Sequence, residues 1–282
     1  MLINKKMRYL FLIFILSFTL VKVKGQTVAY GFNEEKGGYF EVANNTKLYY
    51  EIYGEGEPLL MLHGGVYGYI NEFEYFIPFL AEKYQVICLA TRGHVKSDIG
   101  HEPFTYDQRA SDAFKLIQHL KLNKVTVIGF SDGGHSAFKL AANYPEVVDK
   151  MIVMGAGNQP AEELPTYNYN ADDLMASSGD YFKERLKHMP EPDRWNESLQ
   201  MLSQLYNTSV VSDETFKKIK CPVLVMAGDH DEYAKPSSFV EAYEAIPAAN
   251  LSIIPGCGHV IFYCKFPVVW ETMKGFLGFQ DK

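Results

Sequence analysis

Short, wholly apolar runs alternate with longer amphipathic stretches along most of this chain, and few folds accommodate that alternation. The run Pro-Leu-Leu-Met-Leu-His at 58–63 and the run Lys-Val-Thr-Val-Ile at 124–128 have no polar face. Such runs suit strands covered on both sides, as parallel strands joined by crossover helices are. Further strands are expected at 84–90, 148–154, 223–227 and 251–254, preceded by a hairpin at 38–42 and 47–53. Helices are expected at 72–83, 106–122, 133–143, 237–245 and 267–279. The alternation breaks only at 158–213, a polar, Tyr- and Met-rich stretch punctuated by Pro160, Pro165, Pro190 and Pro192. The pattern therefore predicts one α/β domain, with a mostly parallel central sheet flanked by helices and one helical insertion.

The chain has 282 residues, long enough to bury a core without help from disulfides or metals. Its formal net charge is −7, which argues against nucleic acid as a main partner. That charge is unevenly spread. Residues 1–25 carry Lys5, Lys6, Arg8, Lys22, Lys24 and no acid, leaving 22 basic against 34 acidic residues, or −12, beyond them. An uncharged apolar run at 9–21 follows the first three positives; it is too short for a membrane span, which needs about 20 residues. We read residues 1–25 as a cleaved signal peptide, residues 26–282 as the mature domain, and the protein as exported to a periplasmic or extracellular space without a stable membrane span. Cys88 and Cys221 sit in apolar runs and read as buried free thiols. Cys257 and Cys264, seven apart, could pair in an oxidising compartment, but two unpaired thiols is the favoured reading.

Directly after the strand at 124–128 and before the helix at 133–143 stands Gly129-Phe130-Ser131-Asp132-Gly133. G-x-S-x-G in that context has a mechanical meaning. A serine projects from a sharp strand-to-helix turn, and the glycines let neighbouring backbone crowd it. The following helix N-terminus offers unpaired N–H groups where negative charge can develop. With that elbow and with His63-Gly64-Gly65 after an earlier strand, the sequence resembles the α/β-hydrolase family, most closely its small serine hydrolases with an H-G-G loop and a G-x-S-D-G-G elbow.

The resemblance implies a nucleophile, an acid and a histidine in that order, each on a loop after a strand. Ser131, Asp231 in Gly228-Asp-His-Asp-Glu232, and His259 in Pro255-Gly-Cys-Gly-His259 match those positions, with Asp229 the rival acid. It also implies an oxyanion hole from the backbone N–H groups of Gly65 and Asp132, with His63 bracing the loop. No metal or organic cofactor is implied, and the expected partner is a small acyl substrate. Acidic groups near the nucleophile of some relatives recognise a substrate amine, so the Asp132 side chain could do so here, or could bond locally. The insertion would lie over the site as a cap, with Tyr167, Tyr169 and Trp195 as candidate pocket aromatics beside Tyr181, Phe182 and Tyr206.

Relatives commonly read D-x-R-G-x-G-x-S where this chain has Ala90-Thr-Arg-Gly-His-Val-Lys-Ser97. The missing acid removes an expected partner of Arg92, Val95 would have to adopt a costly positive φ, and His94 reads as a surface histidine. The expected activity is hydrolysis of carboxylic esters, with thioesters or activated amides as variants. Aminopeptidase-like or carbon–carbon bond hydrolysis with the same three residues, and ligand binding without catalysis, are the alternatives.

Overall fold

The computed structural model describes residues 29–279, so the segment read as a signal peptide lies outside the described residues. Eight strands form one sheet in the order β1-β2-β4-β3-β5-β6-β7-β8. They are β1 (Gly37–Glu41), β2 (Lys47–Tyr53), β3 (Glu57–Leu62), β4 (Tyr84–Leu89), β5 (Val125–Phe130), β6 (Val148–Met154), β7 (Val223–Gly228) and β8 (Ala249–Ile254). β2 runs antiparallel to β1 and β4, and every other pairing is parallel.

The helices are α1 (Ile77–Leu80), α2 (Tyr106–His119), α3 (Asp132–Asn143), α4 (Ala171–Leu186), α5 (Trp195–Thr208), α6 (Asp213–Phe216), α7 (Pro236–Ala245) and α8 (Ile261–Leu277). Alternate residues of β3 enter opposite cores: Leu60 and Leu62 one, Leu59 and Met61 the other. Both faces are therefore covered, which is why the strand is apolar from Pro58 to Leu62. Thr105 caps α2 by accepting the Gln108 N–H at 2.9 Å, and Ala110, Ala113, Leu116 and Ile117 face the core. No helix among the described residues is long and apolar enough to cross a membrane.

Two elements depart from expectation. Residues 72–83 form a 3₁₀ turn at Ile70–Phe73 and the one-turn α1. Pro78, which has no N–H to give, fits only the first turn of a new helix. α8 starts at Ile261, ahead of the proline read as its start, because a kink at Lys265 (φ −142°, ψ 60°) lets a turn precede Pro267.

The loop after β4 corrects one reading and completes two others. Arg92 is fully buried, and its partners come from further along the chain: Asp112 at 2.7 Å on α2, and Glu102. Val95 does take φ +49°, inside the apolar core. His94 is buried rather than on the surface. Cys257 and Cys264, expected as free thiols, are disulfide-bonded, whereas Cys88 and Cys221 are free and buried. Their spacing suits either state; the turn between β8 and α8 brings the two sulfurs together.

Candidate active site

Ser131 follows the buried central strand β5 and precedes α3. Its backbone has φ 53° and ψ −114°, a strained conformation for a residue with a Cβ, held by the Ser131 N–H on the Met154 carbonyl at 2.7 Å. The turn is tight enough that a Cβ on Gly133 would overlap the backbone oxygen of Leu62, and one on Gly129 that of Gly133. Only glycine fits either position.

Three loops at one end of the sheet bring Ser131, Asp231 and His259 together. His259 Nε2 lies 2.8 Å from Ser131 Oγ, and its Nδ1 lies 2.8 Å from Asp231 Oδ2. A carboxylate only accepts, so Nδ1 carries the proton and Nε2 is left to accept from the serine hydroxyl. The Asp231 side chain is sealed from solvent, and its Oδ1 accepts the N–H groups of Tyr233 at 2.9 Å and Ala234 at 3.1 Å. Asp229 instead accepts from the Gly256 N–H at 2.6 Å and so shapes the histidine loop. The imidazole sits between the rings of Phe130 and Tyr233, and the His259 N–H donates to Glu232.

The His63-Gly64-Gly65 loop is held from several directions. Burial keeps His63 well below the ordinary histidine range, so its ring is neutral. Nε2 accepts the Thr91 N–H at 3.1 Å, which leaves Nδ1 to donate to the Gly64 carbonyl at 2.7 Å. In a trans peptide the Gly65 N–H then points away from His63. His94, with its pKa pushed down to about 3 by burial, is neutral too. Its Nε2 reaches the Gly65 carbonyl at 3.2 Å while Nδ1 faces the Thr91 hydroxyl at 3.1 Å. Glu72 Oε2 accepts the Gly64 N–H at 2.7 Å. Burial pushes the Glu72 carboxyl up to about 7, against the opposing effects of that hydrogen bond and of Arg185. Asp132, as the first residue of α3, has an N–H that no carbonyl of its own helix can take.

A cavity of about 900 Å³ opens over Ser131 and His259. Gly65, Asp132, Tyr167 and Tyr169 line it; Trp195 does not. Trp195 opens α5 with its ring against Phe182, 5.1 Å between centroids, which corrects its placement as a pocket residue: the α4–α5 contact takes its face. The Asp132 side chain turns inward to a buried ion pair with Arg109 at 2.8 Å and accepts the Tyr206 hydroxyl at 2.9 Å. Its Oδ1 is buried without a hydrogen-bond partner, and the Arg109 ion pair already offsets the charge that a substrate amine would meet. Burial nonetheless holds the Asp132 carboxyl above the usual aspartate value.

Glu72, His135, Tyr233 and Lys235 also line the cavity and were not foreseen. They reach it from the turn at Ile70–Phe73, from α3 and from the loop after β7, and no local motif marks them. The neck of the insertion is closed by a bridge between Gln159 and Val211, and the Arg185 guanidinium of α4 donates to the Gly68 carbonyl at 2.9 Å. Among the described residues no cluster of His, Cys, Asp and Glu could hold a metal ion.

Residues 57–208 match the family model of the alpha/beta hydrolase fold, and the chain belongs to that family. It is 28% identical to the AB hydrolase superfamily protein YisY of Bacillus subtilis, over 80% of this chain and 94% of that protein. It is 25% identical to a putative esterase/lipase of Haemophilus influenzae, over 78% of this chain and 83% of the relative. An esterase from Exiguobacterium antarcticum superposes with a TM-score of 0.69 at 27% identity, covering 86% of this chain and 99% of the other. These relatives are hydrolases, and this chain is a hydrolase of their general kind.

Proposed function

We propose that the protein is an exported serine hydrolase that cleaves carboxylic esters through an acyl-enzyme on Ser131. The observation that carries this reading is the unbroken chain from Ser131 Oγ through both nitrogens of His259 to Asp231, each link 2.8 Å. His259 Nε2 takes the hydroxyl proton as Ser131 Oγ attacks the ester carbonyl. Asp231 keeps the imidazole in the tautomer that can do this and stabilises the imidazolium that results. The N–H groups of Gly65 and Asp132 receive the negative oxygen of the tetrahedral intermediate, two donors of a kind each worth about 10²–10³ in turnover.

Collapse of that intermediate breaks the ester C–O bond, and His259 returns the proton to the departing alcohol. Water, activated by the same imidazole, then releases the acid and regenerates Ser131. The segment at 158–213 serves as a cap whose tyrosines contact substrate. The disulfide between Cys257 and Cys264 supports export, because such bonds persist in oxidising compartments. Short-chain 4-nitrophenyl esters test the reading. Ser131→Ala and His259→Ala are each expected to lower turnover about 10⁴-fold or more. Turnover persisting near the wild-type rate in Ser131→Ala would remove the serine from the reaction.

A further inference from the structure

The cavity wall carries four carboxylates, Glu72, Asp132, Glu162 and Glu163, against one lysine, Lys235. Their situations differ. Asp132 is paired to Arg109 and closed off, and Glu163 is paired to Lys235 at 2.8 Å. Glu162 stands exposed on the 3₁₀ turn at Ala161–Glu163. Glu72 alone is half-buried on the cavity wall with no cation in salt-bridge contact among the described residues. One of its oxygens, Oε2, holds the Gly64 N–H; the other, Oε1, has no hydrogen-bond partner among the described residues. Glu72 also lies close to Ser131 and His259: a Cβ on Gly64 would sit 3.2 Å from Oε1 and 3.1 Å from the Phe130 ring, which itself packs against His259.

Resting on the hydrolase reading, we propose that Glu72 forms a cation subsite and that the preferred substrates are esters bearing an ammonium group that this carboxylate receives. A lone carboxylate in a partly desolvated wall is unfavourable until an opposite charge reaches it. The surrounding rings suit the same guest: Tyr67, Phe130, Tyr167, Tyr169 and Tyr233 line the cavity, and aromatic rings attract a soft cation. The charged and titratable groups facing Glu72 are Arg185 and Tyr181 from α4, Asp132 from α3 and Tyr263 from α8. Arg185 is committed elsewhere, to the Gly68 carbonyl and to Asn71 Oδ1, and does not contact the carboxylate. With Glu72 raised to about 7, the subsite is charged above neutrality and becomes an uncharged acid below it.

Two isosteric pairs place the cation on either arm of the ester. Butyrylcholine is set against 3,3-dimethylbutyl butyrate for the alcohol arm. Phenyl 4-(trimethylammonio)butyrate is set against phenyl 5,5-dimethylhexanoate for the acyl arm. At pH 8 the wild type is expected to favour the cationic member of at least one pair roughly tenfold in kcat/KM, chiefly through KM. Glu72→Gln keeps an acceptor for the Gly64 N–H and removes the charge, so the cation-to-neutral ratio should fall to about one, whatever loss both esters share through the Gly64 loop. The cation-to-neutral ratio should also fall as pH is lowered through 7, since any titration common to both substrates cancels in it.

No cation preference in either pair, or an equal loss on both members in Glu72→Gln, would overturn the proposal. The second result would reduce Glu72 to a support of the Gly64 loop. Calorimetric binding of the same four compounds to Ser131→Ala separates this from the hydrolase reading. If no ester is cleaved, a cation preference in binding that Glu72→Gln abolishes keeps the subsite and dismisses only the reaction; its absence dismisses the subsite as well.

Discussion

At the residue scale, the two aspartates of the loop after β7 have opposite assignments written in their hydrogen bonds. Asp231 meets the imidazole and Asp229 meets backbone N–H groups of the next loop. Asp231→Asn should lower ester turnover by about 10⁴-fold, because an amide stabilises the wrong tautomer of His259, with thermal stability little changed. Asp229→Asn, which keeps an acceptor oxygen, should stay near wild type; equal losses in both would contradict the assignment. Glu72 carries a second expectation, independent of any substrate. Its carboxyl is raised in the folded protein, so it favours folding when protonated, below the ordinary glutamate value, and that contribution is lost as pH rises through about 7. Melting temperatures of wild type and Glu72→Gln should therefore converge in acid, and the Gln variant should gain on the wild type between pH 5 and 8. A gap independent of pH would mean that the carboxyl is not perturbed. That Ser131, His259 and Asp231 would meet was legible because each sits in a short motif at a strand end. Glu72 was not legible: it becomes a cavity group only when the loop after β3 folds back onto Phe130 and Gly64.

At the scale of elements, strand positions were readable because burial on both faces removes polar residues from each run. Two helix starts were not, because proline falls where its ring is tolerated rather than where periodicity begins, as Pro78 and Pro267 show. Arg92 lacks the acid expected beside it, yet Asp112 on α2 and Glu102 further along the same loop supply its partners, pairings with no local sequence mark. The disulfide is of the same kind. It brackets His259 and ties that loop to the first turn of α8, with Cys257 buried and Cys264 exposed. Cys264→Ser should cost about 2 kcal/mol in denaturant unfolding, the chain-entropy value for so short a loop, and should lower turnover by loosening His259. Reductant should reproduce both effects in the wild type and add nothing in the variant. Identical stability of wild type and variant would mean that the bridge constrains nothing.

For the whole molecule, the sheet order puts β5 at the centre, and the ends of β5, β7 and β8 deliver the three residues of the site to one edge. The insertion shares the core beneath it, with Leu199, Leu202 and Leu205 of α5 in the same apolar cluster as β3 and α3. It also reaches the α3 start and the loop after β3 directly, through Tyr206 on Asp132 and Arg185 on the Gly68 carbonyl. The doubly covered sheet and the existence of an insertion could be read from the alternation and from its single break. Which aromatics would face the cavity could not, because Trp195 and Tyr169 are distinguished only by how α4 and α5 pack. The central claim is an activated serine beneath that insertion, and the most direct measurement is labelling with a fluorophosphonate probe, with the adduct mapped by mass. Labelling at Ser131 that is absent in both Ser131→Ala and His259→Ala is the predicted result. A folded wild-type protein that stays unlabelled, or that labels equally without His259, would contradict it.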